Sequence, residues 1–125
     1  MVQTIETGDA PAAVGAYSQA TTNGDLVFTA GQIPATGDGE LKSDASIQEQ
    51  TEQVLENISA VLASEGLSMS DVLKTTVYLD DINDFDVMNE VYASFFDESP
   101  PARSAFEAGA LPKSVGIEIE AVAQK

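Results

Sequence analysis

Apolar residues along this chain follow two rhythms, and each predicts a different kind of element. From about Asp44 to Glu65 they recur every three or four residues. Ile47, Val54, Leu55, Ile58, Val61 and Leu62 share one face of a helix, and Glu49, Glu52 and Glu56 share the other. Gly66 follows as the residue expected to stop it. A second stripe, Phe85, Met88, Val91, Tyr92, Phe95 and Phe96, predicts a helix that starts at Asn83 or Asp84 and ends near Phe96. The Pro100-Pro101 pair then forbids continuation, because proline cannot sit in a helix interior and holds its predecessor extended.

The other rhythm has a period of two or is continuously β-branched. Val2–Thr7 reads as a short first strand. Tyr17–Thr22 and Asp25–Ala30 read as the arms of a hairpin, joined by Asn23-Gly24 in a tight type I′ turn. The glycine-rich stretch from Gly31 to Ser43 is a loop. Val72–Leu79 is β-branched and aromatic, hence a strand. "ARSAFEAG" and "VGIEIEAVA" supply the last two strands. In the latter, Ile117, Ile119 and Ala121 face one way, and Glu118 and Glu120 the other.

The predicted order is β-β-β-α-β-α-β-β in one domain spanning residues 1–125. Two strand-helix-strand units predict parallel pairings with right-handed crossovers, and the hairpin adds an antiparallel one, so the sheet is expected to be mixed. The fold class is α+β: a six-stranded mixed sheet with two helices on one face. Two helices leave the other face bare, and an apolar sheet face in water calls for a cover. Self-association through that face is the expectation, with ligand sites at the subunit junctions.

Composition narrows the chemistry. The chain holds 21 acids against five bases, a formal charge of −16, and the acids run from Glu6 to Glu120 rather than gathering in a tail. Such a charge repels nucleic acid and anionic membranes. Evenly spread acids fit a protein of a halophile, where concentrated salt shortens the screening length to about 3 Å. No basic and apolar leader and no run of about 18 apolar residues is present, so a cytoplasmic protein is expected. Cysteine, histidine and tryptophan are absent. That removes disulfides, thiolate and imidazole chemistry, and the usual zinc sites. With so many carboxylates an oxygen-only Mg²⁺ or Ca²⁺ site stays open, but no calcium-loop motif appears, and no metal or cofactor is assigned. Proton transfer must rest on Asp, Glu, Tyr, Lys, backbone or water.

Against that background a few residues stand out. Arg103 is the single arginine and opens a strand just after Pro-Pro. Its planar fork suits a carboxylate, either one of the chain's own acids or a ligand's. Glu118 and Glu120 are either exposed strand residues or partly buried carboxylates able to hold a water. Tyr17 could donate to a ligand or serve as an interface aromatic. Asn89 could meet backbone or substrate. Gly31 ends a strand where a missing side chain allows close approach.

Taken in order, "APAAVGAYSQA", "FTAGQIP", "LKTTVYLDDINDFDVMNEVYASFF", "PPARSAFEAGALPK" and "GIEIEAVA" resemble the RidA/YjgF family over nearly the whole chain. The resemblance implies a chorismate-mutase-like fold and a homotrimer with three sites between subunits. It implies a 2-iminobutanoate/2-iminopropanoate deaminase. Such enzymes hydrolyse imines, tautomers of the enamines released by pyridoxal-phosphate enzymes, to 2-keto acids and ammonia. It implies carboxylate binding at Arg103, water handling at Glu118, and ligand contacts at Tyr17, Gly31 and Asn89. Many relatives carry cysteine where Ala105 stands. The role implied there belongs to backbone groups, which alanine also has, so the departure argues against thiol chemistry rather than against deamination. The alternative is a non-catalytic module that binds small 2-keto acids or regulates a partner. An endoribonuclease or translation inhibitor fits the charge less well.

Overall fold

In a computed structural model, residues 2–125 are described. The elements are β1 (Gln3–Ile5), β2 (Ala20–Thr22), β3 (Leu26–Thr29), α1 (Ile47–Ala63), β4 (Val72–Leu79), α2 (Phe85–Ser94), β5 (Ala102–Glu107) and β6 (Ile117–Gln124), with three short 3-10 turns between them. This is the predicted order, and β4 has the predicted bounds.

Each helix is bounded by local chemistry. The Ser46 side chain accepts from Glu49 N–H and caps α1. At the other end Leu67 N–H donates to Leu62 O and Gly66 N–H to Ala63 O, at 3.0 Å each. Gly66 has φ +75°, a left-handed conformation that an L side chain resists, so the glycine stops the helix in the Schellman manner. Asp84 is the N-cap residue of α2, after a 3-10 turn whose start Asp81 caps through Asn83 N–H.

The sheet runs β1-β2-β3-β6-β4-β5. β4 and β5 pair in parallel across α2, as expected of a strand-helix-strand unit. The first such unit behaves differently. β3 and β4 do not pair, because β6 slots between them antiparallel to both. The sheet is thus mixed, with one parallel pairing. The hairpin also departs from expectation. Pairing of Thr22 with Val27 leaves Asn23 to Leu26 as the loop, longer than a type I′ turn, and Gly24 alone among them has positive φ. Asn23 Oδ1 accepts from both Asp25 and Leu26 N–H and closes the loop instead.

One sheet face meets the helices. Val27, Val77, Leu79, Ile117, Ile119, Ala121 and Ala123 pack against Val54, Leu55, Ile58, Leu62, Met88 and Tyr92 in one core. Burying each larger aliphatic side chain stabilises the fold by about 1.5–3 kcal/mol. Alternation sends Phe28, Tyr78, Phe106, Glu118, Glu120 and Val122 to the opposite face. No helix covers that face, and Phe28 and Phe106 remain 46% and 47% exposed.

Candidate functional site

The residues singled out by sequence fall into two groups and an outlier. The first group gathers where β5 passes α2. Arg103 is in register with Thr75 of β4, so both side chains point to the helix face. There the guanidinium carbon lies 4.7 Å from the Tyr92 ring centroid and 5.3 Å from that of Phe85. Asn89 Oδ1 accepts from the guanidinium at 2.7 Å. Phe85, Asn89 and Tyr92 are spaced i, i+4, i+7, so one face of α2 supplies all three contacts. Tyr92 is itself fixed by a 2.6 Å hydrogen bond with Thr75, and burial raises its phenol pKa.

Among the described residues no carboxylate approaches Arg103 within ion-pair distance. Among the described residues the one ion pair is Lys125 with Glu65, at 2.7 Å. A guanidinium offers five N–H donors, and Asn89 takes one. The rest are available beside a hollow of about 340 Å³, lined by Arg103, Asn89, Tyr92, Ala93, Phe96, Asp97 and the Pro100-Pro101 pair.

Ala105 shares the helix face with Arg103 and packs its methyl against the core. Its backbone is placed differently. Ala108 N–H donates to Leu79 O at 2.8 Å, and amide direction alternates along an extended strand. The amides of Ser104 and Phe106 therefore turn toward β4, and those of Arg103 and Ala105 turn out from the free edge of β5. Cysteine is not needed to present an outward N–H.

The second group lies on the uncovered face. Glu118 of β6 is in register with Tyr78 of β4. Gln32 and Ile119 exchange both backbone hydrogen bonds, which fastens the Gly31 turn alongside β6. A β-carbon on Gly31 would collide with the Glu118 carboxylate, so glycine is what allows that side chain to lie across the turn. Burial, then the charge of Glu120, push the Glu118 pKa up.

Tyr17 is the outlier. It precedes β2 in a loop that Gln19 organises through hydrogen bonds to Thr7, Ala10 and Pro11. Its ring is exposed, and its hydroxyl accepts from Val14 N–H at 3.3 Å. No hydrogen bond joins it to Arg103 or Glu118 among the described residues. Within one chain, then, the structure joins Arg103 with Asn89 and Glu118 with Gly31. It keeps the two pairs on opposite faces of the sheet. Sequence reading assigned no role to Phe85, Tyr92 or Tyr78. The helical spacing of Phe85, Asn89 and Tyr92 was the available signal for the first two.

These features agree with comparisons to known proteins. Residues 7–125 match the family described as endoribonuclease L-PSP. The chain belongs to that family, whose members include YjgF and RidA proteins. It is 55% identical to a RutC family protein of Pyrococcus horikoshii, covering 100% of this chain and 99% of that one. It is 46% identical to an Escherichia coli protein provisionally named reactive intermediate deaminase TdcF, covering 98% and 97%. The crystal structure of E. coli TdcF with bound serine superposes with a TM-score of 0.93 at 45% identity, covering 98% of each chain. That of the E. coli YjgF gene product gives 0.93 at 43% identity, again covering 98% of each. Among the described residues no helix is long and apolar enough to cross a membrane.

Proposed function

We propose that this protein is an imine deaminase that hydrolyses small 2-imino acids, of the 2-iminopropanoate and 2-iminobutanoate type, to 2-keto acids and ammonia. One observation carries the reading. Arg103 lies over two aromatic rings and is held by Asn89, and no acid among the described residues pairs with it. A fixed guanidinium without a carboxylate is a receptor for one. The serine in the TdcF structure, also a small carboxylate-bearing molecule, supports a ligand of that size.

In this reading Arg103 grips the substrate carboxylate with a bidentate fork, and the outward N–H of Ala105 adds a third donor. Each charge-assisted hydrogen bond contributes about 1.5–3 kcal/mol. The imine carbon is thereby presented to a water held by Glu118. The water oxygen bonds to that carbon as its proton passes to the Glu118 carboxylate. The C=N π electrons move to nitrogen, which takes that proton from the carboxyl; the carboxylate then accepts the hydroxyl proton of the carbinolamine and hands it to the amine, so that C=O forms as the C–N bond breaks and ammonia leaves. Imines are electrophilic, so positioning supplies most of what is needed.

Arg103 and Glu118 stand on opposite sheet faces, so one site must take Arg103 from one copy and Glu118 from another. The uncovered face with Phe28 and Phe106 is the surface through which copies would meet, and a homotrimer closes such head-to-tail contacts into a ring. The test is keto acid release from imine generated in situ by an amino acid oxidase. Arg103→Ala should lose about 10²-fold in kcat/KM, or about 2.7 kcal/mol. Parental activity in that variant would refute the assignment.

A further inference from the structure

Two glutamates share the uncovered face of β6, and nothing in their spacing says which should handle a proton. Glu118 and Glu120 are two residues apart on one strand, so their side chains emerge about 6–7 Å from each other. Both are partly buried, and burial of two like charges favours one proton between them. The neighbours break the tie. Tyr78 stands in register with Glu118, yet its hydroxyl reaches diagonally and donates to Glu120 Oε1 at 3.1 Å. The Tyr78 ring is braced edge-on against Phe106, with centroids 5.1 Å apart, which fixes the direction of that hydroxyl.

We propose that Tyr78 and Glu120 are positioning residues that reserve the shared proton of this face for Glu118. The donated hydrogen bond anchors the Glu120 carboxylate in place. Glu118 receives no hydrogen bond from the described residues and lies across the Gly31 turn next to that fixed charge. Within one chain, the remaining surroundings do not reverse the balance. Besides Tyr78 and the uncharged Thr76, which is in register with Glu120, β4 adds one charge to this face, Lys74, in register with Val122. β5 adds the uncharged Ser104 and Phe106, and β3 adds Phe28. The tyrosine phenol is itself held above its ordinary range, first by burial and then by its bond to Glu120, so it remains a donor at neutral pH. Glu118 then has the raised proton affinity that a group accepting and returning a proton near neutrality requires.

The inference rests on the reading of Glu118 as the proton-handling residue, but its test does not use activity. The full-length protein, in its assembled form and labelled with carbon-13 at glutamate carboxyls, is titrated by NMR. In the parent, Glu118 should titrate above an ordinary glutamate. Glu120→Gln should move the Glu118 titration down, and Tyr78→Phe, which keeps the ring and its contact with Phe106, should move it down as well. Glu118 titrating as an ordinary glutamate in the parent, or a Glu118 titration unmoved in both variants, would overturn the proposal. If the deaminase reading alone is wrong, the parent releases no keto acid from imine, or Glu118→Gln releases it at the parental rate, while the raised Glu118 titration of the parent still holds. If both stand, the limb of the kcat/KM profile that belongs to Glu118 also shifts to lower pH in Glu120→Gln.

Discussion

Arg103 and Glu118 point away from opposite faces of the same sheet, on strands that flank β4. Neither is idle in its own setting. Arg103 is fixed by Asn89 and two rings, and Glu118 lies across a glycine turn. The fold thus builds two half-sites, and the predictions below probe each half before the whole.

Asn89 orients Arg103 through a single 2.7 Å hydrogen bond. Asn89→Ala should cost about 1.5–3 kcal/mol of transition-state binding, read mainly as a raised KM. Asn89→Asp should cost more. A carboxylate there would pair with the guanidinium and compete with substrate. Steady-state kinetics on the two variants separate orientation from charge, and equal losses would contradict the orienting role.

Gly31→Ala should leave the fold nearly intact and the activity poor. Gly31 does not have positive φ, so alanine brings no backbone strain. Its β-carbon meets the end of a flexible side chain, which can swing aside at little cost in stability. Misplacing a catalytic group by about 1 Å can cost about 10²-fold in rate. Thermal melting alongside kcat checks both halves of the expectation.

Glu118→Gln should stabilise the protein at neutral and alkaline pH. The folded state raises the Glu118 pKa above the ordinary value of 4.5, so the native state holds that proton more tightly than the unfolded chain. Its stabilising contribution is present below the ordinary value and is lost as pH rises through the raised one. The amide carries no charge to desolvate. Its advantage over the parent should therefore appear with rising pH and shrink below about pH 4 in a series of melts.

Ser114→Gly should also stabilise. Lys113 and Ser114 both adopt left-handed φ, at 56° and 59°, in the turn before β6. The L side chain costs about 1–2 kcal/mol in that region, less the extra entropy glycine brings to the unfolded chain. A midpoint in denaturant that rises by the equivalent of about 0.5–1 kcal/mol is expected, with kinetics unchanged.

What could be read from sequence alone follows from where the information lies. The helices and β4 were legible because each carries its periodicity and its stop signals within itself, as in the Ile47–Leu62 stripe closed by Gly66. The hairpin was misjudged because Asn23 acts through its side chain rather than its backbone. The insertion of β6 between β3 and β4 was not legible, since no local pattern records which distant strand fills a gap. The same holds at the site. Arg103, Asn89, Gly31 and Glu118 could be picked out as chemistry. The platform under Arg103 needs α2 beside β5, and the bond from Tyr78 to Glu120 is diagonal to the register.

The most direct test of the account is complementation between two dead variants. Arg103→Ala and Glu118→Gln are each assayed for imine hydrolysis, then mixed, dissociated and reassembled. Sites built from two copies should regain activity, because some junctions then unite a native Arg103 with a native Glu118. For random reassembly of a three-fold ring, about a quarter of the parental sites return. Reassembled oligomers of parental size that stay inactive would contradict a site shared between copies.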